Sequence, residues 1–193
     1  MINIKHLYII AGCNGAGKTT ASMTILPKSL LVKEFVNADD IAKGLSPFNP
    51  EGVAIEAGRL MLERVRVLLD RGESFSIETT LATRSYVNLV REAQRLGYLV
   101  HLLYFWLRTP ELAVDRVAER VSKGGHNIPQ EVIIRRYYKG ISNLFHLFMK
   151  EVDVWIIYDN SDYDRERIAF GGKRFRTRIN NIDKFNRIKD YDR

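Results

Sequence analysis

The chain has 193 residues, of which 46% are hydrophobic and 27% are charged, and it contains one cysteine. This length and composition predict one sizeable hydrophobic core and exclude a disordered chain, a fibrous repeat and a disulfide-rich scaffold. The formal net charge of +7 fits an anionic partner, although a basic surface by itself is more often only solvated. Cys13 alone cannot build a thiolate zinc cluster, and it fits a reducing, cytoplasmic setting.

Neither a secretory leader nor a membrane span is predicted. Residues 1–6 lack the basic region and the following apolar core that signal peptides have. The longest apolar run, at 102–107, is far shorter than the roughly 20 residues that cross a bilayer. We therefore expect no membrane partner.

Apolar runs alternate with helical periodicity along the chain. Because apolar runs bounded by turn residues are typical of buried strands, five strands are predicted, at 7–11, 34–37, 75–78, 98–107 and 154–158. Two helices are predicted from apolar residues three or four positions apart: Ala54, Ala57, Met61, Val65 and Leu68 line one face, and Ile133, Tyr137, Ile141, Leu144 and Phe148 line another. Strands that are apolar on both faces and separated by helices predict a three-layer α/β sandwich, with a mostly parallel sheet of about five strands.

The pattern divides the chain into a core unit and an extension. Residues 1–161 form the predicted core, and the apolar periodicity weakens from Asp162 onward. Residues 162–193 hold 10 Lys and Arg against 6 Asp and Glu, so they are more basic than the rest of the chain. Because only 167–170 resembles a strand there, we expect an edge strand followed by a weak helix.

A glycine-rich loop follows the first predicted strand. Residues 12–19 read GCNGAGKT and match the phosphate-loop pattern G-x-x-x-x-G-K-[ST] in full. The expected context is present, because a strand precedes the motif and a helix, predicted over 20–26 and ended by Pro27, follows it. In this motif the lysine reaches the β- and γ-phosphates and the Thr hydroxyl holds Mg²⁺. ATP and Mg²⁺ are the predicted cofactors, and the candidate nucleotide ligands are Gly12, Asn14, Gly15, Ala16, Gly17, Lys18, Thr19 and Thr20.

Acidic residues follow the second and third predicted strands. A carboxylate beside a phosphate loop can orient a substrate hydroxyl and accept its proton, and we assign this role to Asp39. Asp40 is interpreted as the cap of a helix that begins at Ile41. Glu78 resembles the acid of a Walker B site, which holds Mg²⁺, and it could equally bind substrate hydroxyls. Thr80 is a further candidate for contact with the substrate.

A basic segment covers about residues 110–136. Arg116 and Arg120 lie four apart on one face of its first predicted helix, and Arg136 lies in the second turn of the next helix. Because the loop between the two helices contains Gly124-Gly125, the segment is predicted to close as a lid over the triphosphate. Closure would bring the three arginines to the transferred phosphoryl group. The alternative interpretation is that the segment does not close and the arginines form a solvated basic face.

The chain resembles the zeta toxin family of P-loop kinases over about residues 5–161. The resemblance rests on the phosphate loop together with NADDI at 37–41, IETTL at 77–81, RVAERV at 116–121 and GGHNIP at 124–129. It implies a P-loop, nucleotide-kinase-like fold with a helical lid, and a transfer of phosphate from ATP to an alcohol group. Characterised toxins of the family phosphorylate the 3′-hydroxyl of the amino sugar in UDP-N-acetylglucosamine. By this resemblance Asp39 matches the catalytic base, Lys18 and Thr19 the ligands of phosphate and Mg²⁺, Glu78 a substrate-contacting acid, and Arg120 a lid arginine.

Several features depart from the pattern of the toxins. His126 stands near the position of a second lid arginine, which leaves Arg116, Arg135 or Arg136 to compensate. The phosphate loop begins about ten residues from Met1, so the N-terminal extension of the toxins, where an antitoxin would dock, is not expected. The C-terminal portion that binds substrate is short as well. In related small-molecule kinases the loop after the last strand borders the adenine, which places Asn160 at the nucleotide.

The predicted function is that of an ATP- and Mg²⁺-dependent kinase of a small hydroxyl-bearing molecule, with a sugar nucleotide as one candidate acceptor. Two alternatives stay open. A 5′-hydroxyl polynucleotide kinase would use the basic extension as a track for nucleic acid. A regulatory protein would hydrolyse ATP slowly and signal by lid closure. An antitoxin is a candidate protein partner, and nucleic acid is not an expected one.

Overall fold

The computed structural model describes residues 4–29 and 32–192, without the side chains of residues 25–29. Within these residues one seven-stranded sheet has the order β2-β3-β1-β4-β5-β6-β7. Its strands are β1 Lys5–Ala11, β2 Glu34–Val36, β3 Phe75–Thr79, β4 Tyr98–Trp106, β5 Val154–Asp159, β6 Glu166–Gly172 and β7 Phe175–Ile179. The strands from β2 to β5 in this order, with β1 at the centre, are all parallel to their neighbours. The carboxyl ends of these five strands therefore meet at one edge of the sheet.

The α/β fold with a mostly parallel sheet is confirmed, but the expectation of about five strands is corrected to seven. The five parallel strands are the five predicted ones, and β6 and β7 add an antiparallel hairpin to the outer edge of β5. All five residues of β7 are exposed, and arginines stand between its apolar residues. A strand of this kind lacks the apolar run by which buried strands are recognised in a sequence.

Helices connect the parallel strands. They are α1 Lys18–Ser29, α2 Ala38–Leu45, α3 Ala54–Arg71, α4 Tyr86–Arg95, α5 Pro110–Ser122, α6 Gln130–Asn143, α7 Met149–Glu151 and α8 Ile182–Asp190. A 3₁₀ turn at Pro50–Val53 precedes α3, and a π-helical stretch at Leu144–Phe148 joins α6 to α7.

Two helix boundaries differ from those predicted. Helix α1 begins at Lys18 and ends at Ser29, two residues beyond the proline at which the sequence predicted its end. A proline lacks its own N–H donor but keeps a helical φ, so a helix can run past it for a short distance. Helix α2 begins at Ala38 rather than Ile41, and its cap is the Asn37 side chain, which accepts a hydrogen bond from the Asp39 amide. Asp40 therefore lies in the first turn and is not the cap.

The predicted apolar stripes lie in the core. On α3, Ala57, Met61, Val65 and Leu68 are buried, whereas Ala54 is exposed. On α6 and the π-helical stretch that continues it, all five predicted positions from Ile133 to Phe148 are buried. Burial of this apolar surface against the strands fixes the helices relative to the sheet edge where the phosphate loop begins.

The C-terminal extension continues the sheet of the predicted core. Strand β6 pairs with β5 from Glu166 to Gly172, and the Phe185 ring of α8 meets the Phe145 ring edge to face at 5.9 Å. Lys184 of the same helix pairs with the buried carboxylate of Asp159 at the end of β5, with 2.5 Å between Nζ and Oδ2. The boundary that we propose between residues 161 and 162 therefore lies within one continuous sheet.

We expect Asp159→Asn to destabilise the protein at neutral pH, with a deficit that shrinks as the pH falls below the ordinary value of 3.8 for an Asp carboxyl. Burial alone would raise the pKa of Asp159, but hydrogen bonds from Lys184 and Ser161 outweigh it and hold the pKa below its ordinary value. Stability from the ionised carboxylate is therefore present at neutral pH and is lost as the pH falls through the lowered pKa. Thermal unfolding should show a deficit of about 4–8 °C at pH 7, as for a loss of about 2 kcal/mol. A deficit that stays the same however far the pH is lowered into the acid range would contradict this account.

No helix within the described residues has the length and apolar character needed to cross a membrane.

Candidate active site

The phosphate loop links β1 to α1 and depends on three glycines. Gly12, Gly15 and Gly17 have φ angles of 145°, 78° and 74°, in the region that side chains disfavour. A Cβ on Gly12 would lie 2.3 Å from the Phe105 carbonyl oxygen, so the loop also passes too close to β4 for a side chain. The chain can therefore curl around a group placed above the N-terminus of α1, where backbone N–H groups favour phosphate.

Lys18, Thr19 and Glu78 form a polar cluster beneath this loop. Lys18 is 6% exposed, and its Nζ donates to the Cys13 carbonyl at 3.0 Å and lies 3.7 Å from Glu78 Oε1. Thr19 Oγ1 donates to Glu78 Oε2 at 2.9 Å. The acid predicted at the end of β3 and the two residues predicted in the loop thus meet at one point.

Glu78 lies in an environment that disfavours its charge. Burial raises the pKa of Glu78, and the nearby carboxylates of Asp39 and Asp40 add to this, while Lys18 and Thr19 act in the opposite direction. A bound cation beside Glu78 would relieve the loss of solvation.

The cluster suits Mg²⁺, because the Thr19 hydroxyl and the Glu78 carboxylate present adjacent oxygens at an opening to solvent. Residues 4–29 and 32–192 contain no group of three or more His, Cys, Asp or Glu that could hold a metal by themselves. This does not exclude Mg²⁺, which keeps water and phosphate oxygens as most of its ligands in such sites.

Asp39 lies where three openings meet. The first, which we call the phosphate opening, has about 210 Å³ and includes Lys18, Thr19, Glu78 and Arg116. The second, the side opening, has about 190 Å³ and includes Glu78, Thr80, Thr83 and Tyr86. The third, the lid groove, has about 220 Å³ and lies between α2 and the loop that joins α5 to α6. Asp39 lines all three, whereas Asp40 lines the phosphate opening and pairs with Lys43 at 3.6 Å.

The arginines predicted in the lid differ in their positions. Arg116 lines the phosphate opening, and its guanidinium donates to the carbonyls of Asn160 and Ser161 at 2.8 and 2.7 Å. Arg120 lines both the phosphate opening and the lid groove, and it donates to the His126 carbonyl at 2.7 Å.

Arg136 lies on the other side of the same centre. It lines the side opening and the lid groove, and its Nη1 lies 3.3 Å from Asn14 Oδ1. Burial lowers the pKa of Arg136, whereas the charge of Asp39 raises it. Arg135, on the adjacent position of α6, is exposed and lines none of these three openings.

Asn160 contacts the phosphate loop directly. Its Nδ2 donates to the Ala16 carbonyl at 2.8 Å, and its backbone N–H donates to the Trp106 carbonyl at 2.9 Å. The side chain lies so close to Gly17 that a Cβ there would come within 2.6 Å of Nδ2. The loop after β5 therefore forms one wall of the phosphate loop.

Sequence reasoning did not assign most of the lid groove. The residues that it missed come from α2, from the turn before α3 and from the loop before α6: Lys43, Pro50, Glu51, Asn127, Ile128 and Val132. Within this set Glu51 lies 3.7 Å from His126, with the distance taken from Oε1 to Nε2. The dipeptides Asn49-Pro50 and Ile128-Pro129 indicate a turn or loop at each of these two places in the sequence. They do not indicate that the two loops lie side by side.

The two remaining residues of interest are Cys13 and His101. Cys13 is buried in the phosphate loop, and burial raises the pKa of its thiol to about 11, so it has little thiolate character. His101 is half-buried on β4, where its Nε2 lies 3.0 Å from His6 Nδ1, far from the phosphate loop in the sheet register. Burial lowers the pKa of His101 to about 4, which keeps the ring neutral.

Comparison with known proteins places this arrangement in a family. The family model described as Zeta toxin matches residues 3–168, which is most of the chain. An uncharacterized protein of Haemophilus influenzae (strain ATCC 51907 / DSM 11121 / KW20 / Rd) is 30% identical over 126 residues, covering 65% of this chain and 88% of the relative.

Solved structures of low sequence identity share the fold. The AvrRxo1-ORF1:AvrRxo1-ORF2 complex with sulphate ions gives a TM-score of 0.79 at 17% identity, covering 96% of this chain and 63% of the other. The chain thus spans less than two thirds of that protein's length. The PezAT chromosomal toxin–antitoxin system of Streptococcus pneumoniae gives a TM-score of 0.65 at 18% identity, covering 87% of this chain and 72% of the other. With its phosphate loop and the match over 3–168, the chain belongs to the zeta toxin family of P-loop kinases.

Proposed function

We propose that this protein transfers the γ-phosphoryl group of ATP to a hydroxyl of a small molecule that binds in the lid groove. The observation that carries the proposal is the position of Asp39, which lines both the phosphate opening and the lid groove. A carboxylate shared by a phosphate site and a neighbouring cavity can hold an acceptor hydroxyl in line with the transferred group.

Each polar residue around this centre has a role in the proposal. Asp39 orients the acceptor hydroxyl and accepts its proton as the new bond to phosphorus forms. Lys18 and the loop amides hold the phosphates, and Thr19 and Glu78 would hold Mg²⁺. When bound, Mg²⁺ would neutralise charge on the phosphate oxygens.

The arginines complete the electrostatic environment. Arg116, Arg120 and Arg136 carry positive charge on the lid side of the phosphate opening and of the lid groove. Negative charge on the equatorial oxygens of the transferred group is stabilised by such fixed cations. ATP use fits the family, and a structure of the AvrRxo1-ORF1:-ORF2 complex contains ATP.

The composition of the lid groove favours an anionic acceptor. Lys43, Arg120 and Arg136 line it, together with His126, against the acids Asp39 and Glu51. A phosphate-bearing molecule such as a sugar nucleotide would pair with these cations while presenting a hydroxyl to Asp39. Among sugar nucleotides, UDP-N-acetylglucosamine is our first candidate, because the family's characterised toxins use it. Glu78 and Thr80 face the side opening and are proposed contacts for further hydroxyls.

A protein partner is part of the proposal. PezAT is a toxin–antitoxin system and AvrRxo1-ORF1 is held in a complex with AvrRxo1-ORF2. We propose an antitoxin-like partner for this chain on the same grounds.

Acceptor specificity is tested by incubating the purified protein with labelled ATP and Mg²⁺ and a panel of acceptors. The panel contains UDP-sugars, free sugars, aminoglycosides and 5′-hydroxyl oligonucleotides. Label on a UDP-sugar supports the proposal in full, and label on another small molecule supports it without the sugar nucleotide. Label on oligonucleotides would favour the polynucleotide kinase. ATP hydrolysis that no acceptor accelerates would favour a regulatory ATPase.

We expect Arg120→Lys to slow phosphoryl transfer by roughly 10-fold or more while thermal stability changes little. Lysine keeps the charge but lacks the planar pair of donors by which a guanidinium holds two phosphate oxygens. Single-turnover transfer with saturating ATP measures the effect.

The matched control for this variant is Arg135→Lys, because Arg135 lies on the lid but outside the three openings. It should transfer phosphate at the rate of the unmodified protein. Normal transfer rates in both variants would contradict a role of the lid arginines in transfer and would indicate an ordinary solvated basic surface.

A further inference from the structure

The last residue of β5 and the two residues after it, 159–161, lie between the phosphate loop and the C-terminal helix α8, and we call them the 159–161 loop. On the side of α8, Lys184 Nζ donates to Asp159 Oδ2 at 2.5 Å. Asp159 is 3% exposed, and its other oxygen, Oδ1, accepts hydrogen bonds from the amide and the hydroxyl of Ser161 at 2.9 and 2.5 Å. Lys184 thus neutralises a buried carboxylate that fixes the backbone of this loop.

On its other side the same loop holds two parts of the nucleotide site. The Asn160 side chain donates to the Ala16 carbonyl of the phosphate loop. The carbonyl of Asn160 accepts a hydrogen bond from Nη1 of Arg116, and the carbonyl of Ser161 accepts one from Nη2. The orientation of Arg116 is therefore set by two consecutive carbonyls whose position depends on Asp159.

The link from Asp159 to Arg116 depends on the positive charge of Lys184. A carboxylate that is buried and loses its cation must either take up a proton or move toward water, and both responses disturb its hydrogen bonds. The Ser161 amide and hydroxyl would then lose an ionised acceptor. Because Arg116 donates to the carbonyls of residues 160 and 161, the disturbance would reach the guanidinium without any contact between Arg116 and Lys184.

We propose that Lys184 is a positioning residue for the nucleotide site: through Asp159 it holds the 159–161 loop so that Arg116 stays at the phosphate opening and Asn160 stays against the phosphate loop. The inference rests on the proposed function for its effect on transfer, but its effect on nucleotide binding does not require that an acceptor be known. Lys184 lies beyond residue 168, where the match to the family model ends. The basic extension thereby contributes to the site through an ion pair with a buried carboxylate.

A second role of Lys184 must be separated from this one. Its Nζ also lies 2.7 Å from Glu166 Oε2, and Glu166 accepts a hydrogen bond from Asn181 at the start of α8. Lys184 could therefore act only by anchoring α8 to β6. Glu166→Gln weakens the anchor but keeps the Lys184–Asp159 ion pair, whereas Lys184→Met removes both contacts and Lys184→Arg retains a cation.

The experiment compares these three variants with the unmodified full-length chain. A matched control is Lys189→Met, because Lys189 lies on the same helix, is exposed and stands over the Phe185 ring at 5.0 Å, away from the loop. Thermal unfolding is measured first, and all assays are run well below the lowest melting temperature. Calorimetric titration with a non-hydrolysable ATP analogue gives nucleotide affinity, and steady-state transfer gives KM for ATP, KM for the acceptor and kcat.

Lys184→Met should weaken binding of the analogue and raise KM for ATP by roughly 10-fold, with KM for the acceptor unchanged, because the loop contacts the nucleotide side only. Lys184→Arg should restore affinity to within about 3-fold of the unmodified protein, since it supplies a cation at the same position. Glu166→Gln and Lys189→Met should bind the analogue normally.

Two results would overturn the inference. One is a folded Lys184→Met variant that binds the analogue as tightly as the unmodified protein. The other is an equal loss of affinity in Glu166→Gln, which would assign Lys184 to anchoring alone. If no acceptor is phosphorylated but Lys184→Met still loses affinity selectively, the proposed function fails while this inference stands.

Discussion

Asp39→Asn should reduce turnover by roughly 10²-fold or more while binding of ATP stays within a few-fold of that of the unmodified protein. The asparagine has the shape of the aspartate but cannot accept a proton, so only the transfer step loses a participant. Asp39 is exposed in the first turn of α2, and the Asn37 side chain already caps that helix, so the fold does not depend on the Asp39 carboxylate. Single-turnover transfer and calorimetric binding of ATP measure the two effects separately.

Asp40→Asn is the matched control for this prediction. Asp40 is the next residue of the same turn, is also exposed and pairs with Lys43. It lines the phosphate opening but neither the side opening nor the lid groove, where the acceptor is proposed to bind. It should retain turnover within about 3-fold, as expected for loss of an exposed ion pair. If Glu78→Gln abolishes turnover while Asp39→Asn is mild, the roles of base and of metal or substrate ligand are reversed.

Lys18→Ala should lower nucleotide affinity and phosphoryl transfer together, each by roughly 10²-fold or more. The lysine is nearly fully buried beneath the phosphate loop, so its charge acts on the phosphates with little screening by solvent. Its removal also leaves the Glu78 carboxylate without its cation at 3.7 Å, which places an unpaired negative charge where phosphates must bind. The variant should therefore lose both binding energy for the bound nucleotide and stabilisation of the transition state.

The measurement is calorimetric titration with ATP, together with single-turnover transfer. Lys123→Ala serves as the control, because Lys123 is an exposed lysine on the lid that pairs with Glu119 at 2.6 Å. It should leave ATP binding unchanged. Unchanged ATP binding by Lys18→Ala would remove the foundation of the proposed function.

The phosphate loop could be read from the sequence because its chemistry is local. Its glycines, lysine and threonine lie within eight consecutive residues, and the conformation that they adopt follows from short-range sterics and backbone hydrogen bonding. The five parallel strands could be predicted for a related reason, since burial on both faces requires a continuous apolar run. These local properties, together with the ordered motifs, also determined the family.

Tertiary structure decided which of the candidate residues meet. Thr19 reaches Glu78 across 59 positions of sequence, and Asn160 reaches Ala16 across 144, and neither contact has a counterpart in local spacing. The four lid arginines look alike in sequence, but the packing of α5 and α6 directs Arg116, Arg120 and Arg136 to the openings and leaves Arg135 outside them.

The sequence by itself determined that this chain carries a phosphate-loop motif at residues 12–19 and acids at the ends of its second and third parallel strands. Only the tertiary structure decided that Asp39 lies between the phosphate opening and a groove, and that Lys184 of the extension reaches Asp159. The physical reason is that a motif of adjacent residues is fixed by backbone geometry, whereas a groove or a buried ion pair forms only where distant segments are brought together by burial of the core.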